Sequence, residues 1–336
     1  MTAATVGRRP ARWKLPRLHG LPWVTWRQHR MAVAGIAVLL GGVSIFMLIN
    51  GLGMHRAYTN AGLNTCLGTP GCQTAYENFT HNYQTWVQYL PRFLTFLPML
   101  SGVFLGAPLI AREIETGTFR FAWTQGRSRV QWITVKLVLL SIVLCGLALA
   151  FSAVFAWWYG PWHLLSGRMR GGEAYENEGL VFAGRTVFAF TLGALLGLLI
   201  RRAVPAMAAT AAVWVAVVWP SVIYLRPLIM SPIVAPDRPD LNIRQAEVTD
   251  SWTQSASGHH LSQNEFNSLT NQARRDNVIS PQQLDDWLAR HHYTNWISYQ
   301  PGNRFWHFQV VEASAYLVVS LMLAGATIWW LHRRVS

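Results

Sequence analysis

Acid is scarce in this chain, and lysine scarcer. Its 336 residues hold 15 Asp and Glu against 28 Lys and Arg, and Lys14 and Lys136 are the only two lysines. Each shortage excludes something. A phosphate-binding P-loop needs Gly-Lys followed by Ser or Thr, because the lysine reaches the terminal phosphates. Trp13 and Val135 precede the two lysines, so the chain carries no such ATP site. No Asp, Glu, Lys, Arg or His falls in the middle of any long apolar run. Carriers driven by protons or ions need ionisable or coordinating groups at that depth, so a secondary transporter is disfavoured. No nucleophile motif stands out among the Ser, His and Asp residues. The pairs His259-His260 and His291-His292 do not set a ligand geometry, because adjacent side chains on a helix diverge. No metal site and no catalytic residues are expected.

What the chain has in abundance is apolar length. Six runs approach or exceed the roughly 20 residues that a helix needs to cross a bilayer core. They cover 31–50, 93–111, 137–159, 186–200, 203–225 and 313–331. The fourth is short and is expected to begin near Leu180, with Arg185 inside its end. The first starts late and no Ala-x-Ala follows it, unlike a cleaved signal peptide. The fold class that follows is an all-α integral membrane protein with six transmembrane helices.

Orientation follows from where the bases lie, since cytoplasmic loops carry an excess of Lys and Arg. With the N-terminus inside, residues 1–30, 112–136, 201–202 and 332–336 hold 16 of the 28 bases and only two acids, Glu113 and Glu115. The expected location is therefore a cell membrane, with both termini cytoplasmic and the basic faces against anionic lipid. Charge spread over four membrane-flanking segments argues against nucleic acid. Cys66 and Cys72 then fall outside, with Gly68, Pro70 and Gly71 between them, and a short disulfide-closed turn is expected in an oxidising compartment. Cys145 reads as a packing residue inside the third run.

The domain plan has four parts. Residues 1–30 form a basic tail and an interfacial helix, in which Trp23 and Trp26 share a face flanked by Arg27 and Arg30; the alternative is the wet start of the first span. Residues 31–225 hold spans one to five, with outer loops at 51–92 and 160–179 and an inner connector at 112–136. Residues 226–307 form an outer loop large enough to fold. Ser262-x-x-Glu265 reads as a capping box, and Ser280-Pro281 as a cap with a first-turn proline, so a small helical extracellular cap is expected. Residues 308–336 hold the sixth span and an inner C-terminus. Gly193-x-x-x-Gly197 permits close helix approach, within one chain or between two.

The inner connector is the most informative segment. Arg112-Glu113-Ile114-Glu115-Thr116-Gly117-Thr118 carries the two acids of the basic face, and Gly117 allows a turn. Arg120, Trp123, Arg127 and Arg129 follow, among Phe119 and Phe121. Such a segment can insert apolar side chains into a soluble partner's groove.

Three motifs in order resemble the type-2 ABC exporter family, in its actinobacterial form. Ala111-Arg112-Glu113-x-Glu115-x-Gly117-Thr118 with Trp123-Thr124-Gln125 and Ser128-Arg129 resembles that family's connector after the second span. Trp26-Arg27-Gln28-x-Arg30 resembles its N-terminal interface helix. Tyr299-Gln300-Pro301 with Arg304, Phe305, Trp306, Gln309 and Glu312 resembles the start of its last span, near an outer gate. The resemblance implies a permease subunit that works as a homodimer with two separate nucleotide-binding subunits. ATP and Mg would then be bound by those partners, with no cofactor in this chain. The connector would be a coupling helix. Without buried charge in the spans, the expected cargo is an amphipathic or hydrophobic drug, antibiotic or lipid. The competing reading is a membrane regulator that an ATPase moves without passing cargo.

Overall fold

Apolar runs interrupted only by short polar connections give helices, because a backbone in hydrocarbon must satisfy its hydrogen bonds within its own segment. The computed structural model describes residues 20–66, 70–117, 128–169, 172–237, 245–278 and 280–334. Among them, six helices are long and apolar enough to cross a membrane: Leu21–Asn60, Gln73–Glu115, Val130–Trp158, Gly179–Ile200, Ala203–Ile229 and Gly302–Arg333. We call them spans one to six. An even number of crossings puts Leu21 and Arg333 on one side, the base, opposite the cap side.

Span one corrects two expectations. Leu21 to Asn60 is one unbroken 40-residue helix, so residues 21–30 are the first turns of the span and not a separate interfacial helix. Pro22 sits in its first turn, and no proline follows to break it. Trp23, Trp26, Arg27 and Arg30 are exposed on those turns, with the Arg27 guanidinium 5.3 Å from the Trp23 ring centre. At 1.5 Å per residue the helix is about 60 Å long, against a hydrocarbon core of about 30 Å. It therefore projects well beyond the membrane, and residues 51–92 are not a loose loop. Helix Gln73–Leu94 leads back, burying Phe79, Val87 and Leu94 on one face. The turn between the two arms contains the Cys66–Cys72 disulfide.

Span four is the centre of the bundle. Its membrane window is 78% buried, against 17 to 50% for the others. It packs against spans two, three, five and six. Glycine makes the closest of these contacts possible. A Cβ on Gly193 would lie 2.4 Å from the Gly102 carbonyl oxygen, and one on Gly197 2.3 Å from that of Ala107. From the other side, a Cβ on Gly106 would lie 2.3 Å from the Phe190 oxygen. The Gly193-x-x-x-Gly197 motif thus serves packing within the chain, against a π-helical turn of span two, Gly102–Gly106. Span five has a similar turn, Ser221–Leu225, just after Pro220.

The cap is not purely helical, although the membrane part is all-α. Both expected helices are present, Gln263–Arg275 and Pro281–Arg290, each with a complete capping box, at Ser262/Glu265 and Ser280/Gln283. They bury Ala273, Trp287 and Leu288 between them. Beside them lies an antiparallel sheet of β1 (Ile233–Pro236), β2 (Glu247–Ser255) and β3 (Tyr293–Gln300), in the order β1-β3-β2. Strand β1 is only four residues long, and β2 and β3 are mostly polar with an alternation too weak to stand out in the sequence. Both outer strands pair with β3, which leads directly into span six, so the sheet is anchored to the bundle.

The glycine contact has a direct test. Gly193→Ala or Gly197→Ala forces a methyl group against backbone and should cost about 1–3 kcal/mol. Gly146→Ala, with no atom within 4 Å of the place its methyl group would take, should be neutral or stabilising. Thermal unfolding of the full chain in detergent reads both. Equal melting temperatures for all three variants would refute the contact.

Candidate functional site

Two zones of the bundle concentrate chemistry, one on the cap side and one at the base. On the cap side, two arginines and two glutamates close a ring. Arg185 of span four donates to Glu176 Oε2 at 2.9 Å and to Glu312 Oε1 of span six at 2.7 Å. Arg226 of span five donates to Glu176 Oε1 at 3.3 Å and to Glu312 Oε2 at 3.2 Å. All four side chains are nearly buried, that of Arg185 to 1% exposure. Arg226 also lies 4.4 Å from the Tyr175 ring centre and Arg185 5.4 Å from that of Tyr316. Arg185 is six residues into its helix, about 9 Å below the end. It is tolerable there because its two charge partners come with it.

The short helix Gly172–Asn177 supplies Glu176 and fixes its surroundings. Asn177 Nδ2 donates to the Pro91 carbonyl at 2.8 Å, where span two bends. Burial pushes the Tyr175 phenol well above its ordinary range, with Glu312 adding to the effect and the two arginines opposing it. Glu178 precedes span four and meets Arg168 and His163. Burial opposes its ionisation, but those contacts outweigh it and hold the carboxyl below the usual range.

The residues expected at the start of span six divide. Glu312 belongs to the ring. Gln309 is fully buried; its Oε1 accepts from Val181 N at 3.0 Å and its Nε2 donates to Tyr175 O at 3.2 Å. Phe305 packs edge-on to Tyr175. Arg304 donates to the Ser231 carbonyl and to Gln300 Oε1. Trp306 stays half exposed. Together they tie span six to span four and the cap.

Beside the ring opens a cavity of about 760 Å³. Span two lines it with Arg92, Thr95 and Phe96, and span five with Trp214, Val218 and Trp219 among others. Glu173 and Glu176 enter from the short helix, and Glu247, Thr249 and Gln300 from the cap sheet. The wall toward the bundle is apolar and aromatic, and the charges lie on the cap side. A cavity of this size and lining suits a drug-sized amphipathic molecule.

At the base, the two connector acids are attached to different spans. Glu113 binds Lys136 of span three, whose side chain is 1% exposed and lies over the Trp132 ring at 4.0 Å. Lys136 is thus an interior residue and not part of an exposed connector. Glu115 Oε2 accepts from Ala203 N at 3.3 Å, at the first residue of span five. Helix Ala107–Glu115 carries Arg112 on an exposed face, and Thr116 and Gly117 end it, Gly117 with φ 71°. Thr118, Arg120, Trp123 and Arg127 lie outside the described residues, and Arg129 begins the helix of span three. Among the described residues no cluster of His, Cys, Asp and Glu could hold a metal.

Sequence reading missed Glu176, Arg226 and Glu247 as site residues. Arg185 and Glu312 were visible as opposite charges near span ends, and that pairing of signs was the available signal.

Residues 36–226 match the family described as ABC-2 membrane transporter related. No curated protein and no solved structure matches the chain.

Removing one member of the ring leaves a buried charge unpaired, which costs about 3–5 kcal/mol. Arg185→Met should therefore destabilise strongly, and adding Glu312→Gln should recover part of the loss. Chemical unfolding in detergent measures both. A single variant as stable as the parent would disprove the ring's role.

Proposed function

The chain belongs to the ABC-2 membrane transporter related family, and from that premise we propose that it is the membrane subunit of an ATP-driven exporter of amphipathic or hydrophobic molecules. Membership makes it a transport-related membrane subunit and implies association with an ABC ATPase. In the proposed reading two copies assemble with two ATPase subunits in a bacterial plasma membrane, the base faces the cytoplasm, and cargo leaves on the cap side. ATP and Mg bind to the ATPase. Span five supports a role at a second copy or at lipid: Trp219 is 62% exposed and Leu228 79%.

One observation carries the reading. The two helices joined at the base by Glu115 and Ala203 both line the cavity with their cap-side halves. Span two runs from Phe96 in the cavity to Glu115, and span five from Ala203 to Arg226. A push on the connector therefore moves both cavity walls. Each helix also contains a π-helical turn, a place where its ladder can shift at small cost. Glu113, bound to Lys136, carries the same push to span three.

The mechanism needs no reacting group in this chain. Closure of the ATPase subunits presses on residues 112–117. Spans two and five move as levers, and the cavity between them changes its opening. Arg112, Thr116 and Gly117 present the base to the partner, with Thr118, Arg120, Trp123, Arg127 and Arg129 completing the contact. The basic turns at Trp23, Trp26, Arg27 and Arg30 form a second pressing surface. Phe96, Trp214 and Trp219 hold the apolar part of the cargo.

The test is the complex in proteoliposomes. Glu115→Ala removes one exposed hydrogen bond, worth about 1 kcal/mol, so the chain should still insert and bind its ATPase. ATP hydrolysis should continue while transport of a lipophilic dye per ATP falls about tenfold. Unchanged transport per ATP would overturn the lever. ATP turnover with no cargo movement in the parent complex would favour the membrane regulator instead.

A further inference from the structure

Most of the charged and polar side chains around the cavity have partners. Arg92 is paired with Glu173 at 3.1 Å. Arg226 and Glu176 are held in the ring. Thr95 donates to the Pro91 carbonyl and Thr249 to that of Ser298. Gln300 donates to the Met230 carbonyl at 2.6 Å and accepts from Arg304. One charged group is left over. Glu247, at the first position of β2, lines the cavity, and its carboxylate has no hydrogen-bond or ion-pair partner among the described residues. The ring sums to zero and so does Arg92 with Glu173, so among the described residues the lining carries one excess negative charge, on Glu247. It sits above a basin that includes Phe96, Trp214 and Trp219, whose ring faces attract cations.

A half-buried carboxylate without a partner is costly unless something completes it. Its surroundings say what that is. An anion would meet Glu247 and find both arginines already engaged. A neutral lipophile would leave the carboxylate stranded. A molecule with an apolar body and a positive head satisfies both ends. We propose that Glu247 makes this cavity selective for amphipathic organic cations. Burial raises the Glu247 carboxyl above its usual range, with Arg226 opposing it, as expected of an acid awaiting a counter-charge.

This rests on the cavity being the cargo site, but the binding test does not depend on transport. The full chain in lipid nanodiscs is titrated with tetraphenylphosphonium, and separately with tetraphenylborate, an anion of the same shape. Equilibrium dialysis gives the affinity of the parent, of Glu247→Gln and of Glu247→Arg. Partition into lipid is common to all three and cancels. Glu247 has no hydrogen-bond or ion-pair partner to lose among the described residues, so Glu247→Gln should fold normally, checked by its melting temperature. The expected result is at least tenfold weaker binding of the cation by Glu247→Gln, with Glu247→Arg shifting preference toward the anion. Equal cation affinity in parent and Glu247→Gln would overturn the proposal, as would parent binding that favours the anion. Cation binding that depends on Glu247 in a complex that moves no cargo would sink the exporter reading and leave this site standing. Transport of neutral lipophiles that ignores Glu247 would do the reverse.

Discussion

The ring of Arg185, Arg226, Glu176 and Glu312 is the constraint around which the cap-side half is arranged. Each contact near 3 Å is worth about 5 kcal/mol at an effective dielectric of 20. Taking each ion out of water costs several kcal/mol. The two sides nearly cancel, so the ring adds little net stability. What it imposes is geometry, because losing any member leaves charge uncompensated. Span four, span five, span six and the short helix Gly172–Asn177 must all arrive at one point, in one register. Asn177 then fixes the bend of span two, and Gln309 fixes the start of span four. The cavity lies beside the ring, between span five from Trp214 to Arg226 and span two from Arg92 to Phe96, whose Phe96 and Trp214 rings meet at 6.4 Å.

At the base a different arrangement holds. The acids there are few, and both described ones are used internally. Glu113 and Glu115 stood out in the sequence as the two acids on a basic face, which suggested contact with a partner. Their bonds to Lys136 and Ala203 give them a complementary task, that of joining the connector to spans three and five. Under the proposed function, a surface that receives force needs residues that grip the partner and residues that pass the load inward; exposed Arg112 would serve the first and the two glutamates the second.

Much of this was legible in the residues. Apolar runs located all six spans, because the bilayer fixes both length and composition. The Ser262 and Ser280 caps located the cap helices, because capping is a local contact between residues three apart. The long arm Gln73–Leu94 looks like a loop in the sequence because it is polar on average, although Phe79, Tyr83, Val87 and Leu94 recur at helical spacing. The sheet escaped because EVTDSWTQS and YTNWISYQ carry few aliphatic residues, and a strand's partners are remote. The ring escaped for the same reason: Arg185 and Glu312 are 127 positions apart, and Arg226 marked only a span boundary. Trp and Arg at helical spacing look alike on a separate interfacial helix and on the wet end of a long one, so residues 21–30 leave both open in the sequence, and the unbroken helix decides for the second.

Neutrality of the ring also bears on what can drive the protein. Moving one elementary charge across a membrane potential is worth about 2.3 kcal/mol per 100 mV. An isolated Arg185 would couple any tilt of span four to that field. Bound to Glu176 and Glu312, with Arg226 closing the circuit, it moves as part of a group with no net charge. A stroke that carries the four together does almost no electrical work. The cap-side machinery is thereby insulated from the membrane potential, and no unpaired ionisable group in the middle of a span offers a proton or ion another route. In the proposed function energy instead enters mechanically, at the base, where two helices that line the cavity are tied to a connector.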